Sequence, residues 1–238
     1  MRRKPFVRAD YDGIVESTRS YYRNYSKEYV KDYENWAKAE GRFSEPEYKE
    51  GYDTVARLLA STAKPQESVI DIGCGVGKWS TLLAQKEVRI TGVDYLSSTI
   101  EQLDRVCQDH GIRSRISLSI SDGFYLPFKN RVFDGATLNW VLSHIPVTRN
   151  GQFLKEVGRV VKEGGWLFIS DSYWRGQEGG KEQIHIRELR GREYEVYKYY
   201  YEPGELETLV KKTFGKVKLL QPLHYELLCI ARRSGEHH

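Results

Sequence analysis

The sequence predicts an α/β protein: one doubly wound domain built on a mostly parallel sheet, with a small helical cap at its N-terminus. Three observations predict it. From Ser68 onward, short apolar runs alternate with helical segments, the pattern of a parallel sheet wound with crossover helices. A glycine-rich turn joins the first of those runs to a helix. Ahead of residue 62, aromatic residues recur instead at a spacing of three or four that belongs to helix.

The elements follow in order. Tyr22, Tyr25, Tyr29, Tyr33 and Trp36 fall on one helical face, the stretch Gly41 to Pro46 breaks the pattern, and Tyr52 to Ala60 reads as a second amphipathic helix before the turn at Lys64-Pro65. Strands are predicted near 68–72, 89–93, 115–120, 132–138 and 166–170, with helices at about 77–86, 97–110 and 150–161 between them. The polar stretch Arg175 to Gly191 interrupts the alternation. It resumes with a strand at 194–200, a helix opening at Pro203, and strands at 216–220 and 225–231.

Bulk properties set limits. At 238 residues, 29% of them charged and 39% hydrophobic, the chain suits one domain with an added lid and holds no apolar run of the roughly 20 residues a membrane span needs. Basic residues at Arg2-Arg3-Lys4 have no apolar stretch behind them, which argues against a secretory signal. Cys74, Cys107 and Cys229 lie far apart without a histidine cluster, so neither disulfides nor a metal site is expected, and a cytoplasmic setting fits. The net charge of +4 is spread along the chain and gives no argument for nucleic acid.

The most informative segment is Val69-Ile70-Asp71-Ile72-Gly73-Cys74-Gly75-Val76-Gly77-Lys78. An apolar strand enters three alternating glycines and then a helix, so backbone can approach a ligand closely and present helix-start amides to it. Asp94 stands at the end of the second strand, about 20 residues on, where a carboxylate grips a ribose diol; the alternative is a turn aspartate. Tyr95 next to it is placed either against an adenine face or on the surface.

Here the chain resembles the class I methyltransferases, over roughly residues 50–231. The resemblance implies a Rossmann-like, seven-stranded sheet, S-adenosyl-L-methionine as cofactor, and methyl transfer by in-line displacement. It implies that Asp71 and the loop Gly73, Cys74, Gly75 and Gly77 hold the methionine part, and that Asp94 holds the ribose. Asp122, in Ser121-Asp122-Gly123-Phe124, matches the acid that bonds the adenine amine, with an amide from Gly123 or Phe124. Asn139, closing Phe133-Asp134-Gly135-Ala136-Thr137-Leu138-Asn139, matches the position facing the methionine carboxylate and the acceptor. Glu156, Arg159, Val161 and Gly164-Gly165 resemble a segment of the small-molecule branch.

A nicotinamide enzyme is the rival reading of the loop. Its glycines usually run Gly-x-Gly-x-x-Gly around a pyrophosphate, whereas here they run Gly-x-Gly-x-Gly, and Asp71 two residues ahead would repel that anion while welcoming an ammonium.

Chemistry on a sulfonium needs alignment and, for a hydroxyl or protonated amine acceptor, a base. His144, just past the fourth strand, is the candidate base; the bland alternative is a histidine that caps the turn before Pro146 or fills a gap beside Trp140. Asp171 and Tyr173 are further rim candidates, and His110, His185 and His224 read as ordinary surface or hairpin residues. Most tyrosines of the first helix and of 194–201 read as packing, with Tyr11, Tyr21 or Trp36 offered as lid residues.

The resulting division is 1–62 as cap or lid, 63–236 as the methyltransferase domain with an insertion at about 172–200 near the acceptor, and His237-His238 as a tag remnant. The acceptor is read as a small molecule methylated on O, N or C. The segment Trp140 to Ile145 also resembles the protein N-terminal amine methyltransferases, which makes a peptide amine the alternative acceptor. A non-enzymatic cofactor-binding regulator is the third reading, against which the intact acids argue.

Overall fold

A computed structural model describes residues 2–5, 11–37 and 45–235, the side chains of residues 4, 5, 11, 27, 29, 30 and 32–37 excepted. Tyr11, Tyr29, Tyr33 and Trp36 as side chains, and His237-His238, therefore lie outside what is described. The elements are β1 (Arg2–Pro5), α1 (Tyr11–Ala37), α2 (Pro46–Thr62), β2 (Ser68–Ile72), α3 (Lys78–Gln85), β3 (Arg89–Asp94), α4 (Ser97–Asp109) and β4 (Ile116–Ile120). They continue with β5 (Phe133–Asn139), α5 (Asn150–Val160), β6 (Val161–Ser172), β7 (Glu182–Leu189), β8 (Arg192–Tyr199), α6 (Pro203–Thr213), β9 (Gly215–Pro222) and β10 (Glu226–Arg233).

Seven strands form one sheet in the order β4-β3-β2-β5-β6-β10-β9. The first five run parallel, and β10 lies antiparallel to β6 and to β9. The alternation of side chains explains the two covered faces: Val69 joins a core with Leu59, Trp79, Leu83 and Leu103 from α2, α3 and α4. Its neighbours Ile70 and Ile72 join the opposite core with Phe153, Leu154, Leu206 and Val210 from α5 and α6. Each such fully buried aliphatic side chain contributes roughly 2 kcal/mol of hydrophobic stabilisation. The chain moves outward from β2 to β3 and β4, then returns to β5 on the other side of β2. The carboxyl ends of β2 and β5 thus flank the point where the winding reverses, which is where ligands bind in open α/β sheets.

Two expectations need correction. The strand expected at 166–170 runs from Val161 to Ser172, because Val161 pairs with Phe133 before a bulge lets Trp166 pair with Gly135. The polar stretch from Arg175 to Gly191 is no mere interruption: it contains β7, which pairs with β8 on one side and β1 on the other in a second, three-stranded sheet. The hairpin between β7 and β8 turns on Arg190 and Gly191, with φ of 53° and 74°, the left-handed pair of a type I′ turn.

The second sheet brings α1 to the molecule. Strand β8 is its edge, and two of its outward amides, those of Glu195 and Tyr197, donate to Ser17 Oγ and Thr18 Oγ1 of α1 at 2.8 and 3.0 Å. Tyr21 packs edge-on against Tyr194 and stacks on Tyr25. The helix is thereby laid across the carboxyl ends of the main strands.

Candidate functional site

The loop after β2 makes a cradle. Gly73, Gly75 and Gly77 have φ of 69°, 54° and 90°, a region side-chain-bearing residues rarely adopt. The amides of Gly73 and Cys74 donate to the Val93 carbonyl at 2.8 and 3.1 Å, which ties the loop to β3. A Cβ at Gly73 would strike Val141, and one at Gly77 would strike Leu103. Gly77 caps α3 from behind the cradle. Cys74 turns its buried thiol toward Gly92 and α4, leaving only its backbone near the loop.

Asp71 lies beneath the loop, 1% exposed, accepting a 2.5 Å hydrogen bond from Ser80 Oγ. Burial, more than the nearby Asp94 charge, lifts its pKa to about 7 despite the Ser80 bond. Asp94 accepts from the amides of Gly75 at 3.2 Å and Leu96 at 3.0 Å, and burial raises it to about 6. Tyr95 follows, 38% exposed, with the Arg19 guanidinium 5.3 Å over its ring. Arg19 also reaches Asp122 at 3.6 Å, so α1 touches both flanks of this pocket.

Asp122 accepts from the Phe124 amide at 2.9 Å, and a Cβ on Gly123 would come within 2.6 Å of Phe153. The loop beyond is stapled to α5: Arg159 donates to the carbonyls of Leu126 and Phe128, while Glu156 accepts from the Leu126 amide at 2.7 Å. Asn139 donates through Nδ2 to Thr137 Oγ1 at 2.7 Å, and its buried Oδ1 has no partner. That orphan is an acceptor, which an ammonium would satisfy, while Nδ2 has a second proton to give.

A cavity of about 560 Å³ joins these parts. Gly73, Gly75, Asp94 and Tyr95 line one end, with Asp122, Gly123, Phe124 and Asn139 beside them. His144 lines it as well, whereas Asp71, Cys74 and Gly77 do not. From α1, Thr18, Arg19, Tyr21, Tyr22 and Tyr25 form the roof. Trp140 turns the chain out of β5 with φ of 58°, an uncommon conformation held by hydrogen bonds from its amide to Ser170 and from its indole to Glu226.

His144 places Nδ1 2.8 Å from the Tyr197 carbonyl and Nε2 3.0 Å from the Tyr22 hydroxyl. Burial first, then the Lys198 charge, holds its pKa well below the usual histidine value. Asp171 is not a rim residue: it is wholly buried and accepts from the amides of Ser143 and Ser172. Tyr173 does not line the cavity. His185, read as an ordinary surface or hairpin residue, does stand in the β7–β8 hairpin, but it is 4% exposed and faces the cavity. Lys198 and Arg187 of the same sheet also line it and carried no sequence signal beyond the alternation of the strands that hold them. Among the described residues no His, Cys, Asp and Glu group could hold a metal, and no helix is long and apolar enough to cross a membrane.

The reversal point, the glycine cradle and the acids after β3 and β4 define a nucleoside-binding α/β class, and residues 69–165 match a family described as a methyltransferase domain. The demethylmenaquinone methyltransferase of Desulfitobacterium hafniense (strain Y51) is 35% identical over 112 residues, which are 46% of this chain and 44% of that protein. The chain spans about half the length of the curated relatives it matches. Among solved structures, the DhpI–SAH complex shares the fold with a TM-score of 0.72 at 22% identity, covering 94% of this chain and 99% of that one. The Burkholderia thailandensis 1,6-didemethyltoxoflavin-N1-methyltransferase, with bound 1,6-didemethyltoxoflavin and S-adenosylhomocysteine, does so with a TM-score of 0.62 at 19% identity, covering 92% and 91%.

Proposed function

We propose that the chain transfers a methyl group from S-adenosylmethionine to a small-molecule acceptor enclosed beneath α1. The observation that carries this is the single cavity: the glycine cradle and two acids stand at one end, and Tyr22 with His144 at the other. The residues present fit the cofactor. Asp94 keeps lone pairs free for the two hydroxyls of a ribose, Asp122, held by the Phe124 amide, keeps lone pairs for an adenine amino group, and the orphaned Asn139 Oδ1 complements an ammonium. Cys74 and Gly77 serve this site through the shape they give the backbone, and Asp71 through its charge beneath the loop.

S-adenosylmethionine would supply a methyl group on a positively charged sulfur, an electrophile that needs no metal. The chain's own contribution is alignment and exclusion of water, worth several kcal/mol at roughly this degree of enclosure. His144 is the base in this reading. Its Nδ1 proton is fixed on the Tyr197 carbonyl, so Nε2 is the free lone pair, and Tyr22 can pass a proton to it from an acceptor hydroxyl or amine.

The 1–62 segment acts as lid through α1, and 172–200 supplies the acceptor wall through β7 and β8. A cavity of about 560 Å³ roofed by α1 is of a size for a cofactor and a small acceptor. Arg187 and Lys198 line the cavity, and two cations there favour an acceptor other than a peptide ammonium. A cytoplasmic setting goes with this reading, all three cysteines being free and buried. Labelled methyl transfer into a metabolite extract, compared with a peptide pool, tests it: label confined to the peptide fraction would overturn the small-molecule acceptor.

A further inference from the structure

At the acceptor end, buried polar groups face the cavity without the partners their burial calls for. Register places them together. Arg3 on β1 stands opposite His185 on β7, Arg187 lies two residues along β7, and Lys198 on β8 stands opposite Gln183, two residues the other way. Residues so related share one face of a sheet, and all four of Arg3, His185, Arg187 and Lys198 line the cavity, joined by Ser172 from the end of β6.

Ser172 Oγ, His185 Nδ1 and Arg187 Nε are buried and have no hydrogen-bond partner. Ser172 is wholly buried and His185 is 4% exposed, and both line the cavity wall, so a group held against that wall is what can satisfy them. Lys198 gives one hydrogen bond, to Ser143 Oγ at 2.7 Å, and an ammonium has three protons to give. Among the described residues no carboxylate pairs with Arg187 or Lys198 within ion-pair distance. Asp171 and Glu226 favour the charged Lys198 from behind, yet burial outweighs them and brings its pKa down to about 8. The two carboxylates that line the cavity, Asp94 and Asp122, belong to its other end.

His185 completes the picture. Gln183 commits its amide nitrogen to the carbonyls of Glu178 and Gly180, so its Oε1 accepts from His185 Nε2 at 3.2 Å. Nδ1 then offers a lone pair. Burial, with the charges of Arg187, Lys198 and Arg3, keeps the ring neutral, its pKa lowered to about 3.

We propose that this face is an oxyanion subsite, and that the methyl acceptor carries a carboxylate or a phosphoryl-type group there. Arg187 and Lys198 neutralise the anion, Ser172 donates to it, and His185 accepts from a hydroxyl or acid proton beside it. The methyl-accepting atom then lies toward Asn139 and His144. Trp140, Tyr200 and Tyr225 also line the cavity and favour a flat or apolar body. This rests on the methyl-transfer reading and adds the chemical class of its substrate.

The test is calorimetry on the whole chain, first with S-adenosylhomocysteine and then, on the saturated complex, with benzoate, phenylphosphonate and their neutral analogue benzamide. At least one anion should bind about tenfold tighter than benzamide. The preference should largely disappear in Arg187→Gln and Lys198→Met and survive in Arg187→Lys, while S-adenosylhomocysteine affinity stays level. That affinity also shows that each variant is folded. Benzamide equal to both anions, no binding of either anion, or a preference untouched by Arg187→Gln overturns the subsite. Failure of S-adenosylhomocysteine to bind, with the anion preference intact on the cofactor-free chain, overturns the methyl-transfer reading and leaves the subsite standing.

Discussion

The Tyr22 hydroxyl donates to His144 Nε2 at 3.0 Å, joining the roof helix to the loop that leaves β5. The tautomer follows from the other side of the ring, where a carbonyl that can only accept holds the Nδ1 proton. Tyr22→Phe and His144→Gln are each expected to lower kcat about 100-fold and to leave cofactor affinity unchanged. Because the imidazole is held well below its usual pKa, it stays neutral through physiological pH. The wild-type rate should therefore show no limb near 6.5; a limb there that vanishes in His144→Gln would contradict the lowered pKa, and a His144→Gln rate equal to wild type would contradict the base.

Asp94 gives a pH dependence to cofactor binding. Ribose hydroxyls donate to the ionised carboxylate, so affinity should climb as pH rises through about 6, with a proton released on binding. Calorimetry in buffers of differing ionisation enthalpy measures that proton directly.

Asp71 gives a related dependence of stability. Its folded pKa is raised from 3.8 to about 7, so its stabilising contribution is complete below 3.8 and is lost as pH rises through about 7. Melting temperature of the cofactor-free protein should fall across that window, and Asp71→Asn should flatten the fall. An unchanged slope would show that Asp71 does not titrate there.

Two loop glycines should separate by phenotype. Gly73→Ala meets Val141 beside the cavity at a φ of 69°, and should weaken cofactor binding about tenfold, partly recovered by adding Val141→Ala. Gly77→Ala meets Leu103 on the helix side and should chiefly lower the melting temperature. Equal effects of both on binding would show that the loop responds as a whole.

Arg159 links the loop after Asp122 to α5 through the carbonyls of Leu126 and Phe128. Arg159→Met should loosen that loop and weaken cofactor binding several-fold, with the acceptor end unaffected. Hydrogen exchange at Leu126 and Phe128 would report the loosening. Protection unchanged from wild type would remove Arg159 from this role.

Much of the main sheet is legible in sequence because its signals are local: apolar runs at β2, β3 and β5, and a glycine spacing fixed by the backbone turn itself. The second sheet is not. Strand β7 keeps a short alternation, Gln183-Ile184-His185-Ile186-Arg187, but with only two isoleucines between polar residues, after a glycine-rich and charged stretch, it carries too little apolar signal to stand out as a strand. Its hairpin turns on Arg190-Gly191 in place of the Asn-Gly or Asp-Gly that would signal a type I′ turn. With β7 unseen, His185 reads as an ordinary surface or hairpin residue and Lys198 as one more charge in a tyrosine-rich strand. The partnership of Tyr22 with His144 spans 122 residues and depends on α1 docking against β8, which no local pattern encodes.

Cofactor binding by this cradle is measured by calorimetric titration with S-adenosylmethionine on the wild type and on Asp94→Ala. The wild type should bind one equivalent and the variant should lose about tenfold or more in affinity, with the fold intact by circular dichroism. No binding to the wild type, or equal binding to both proteins, would contradict binding at this cradle.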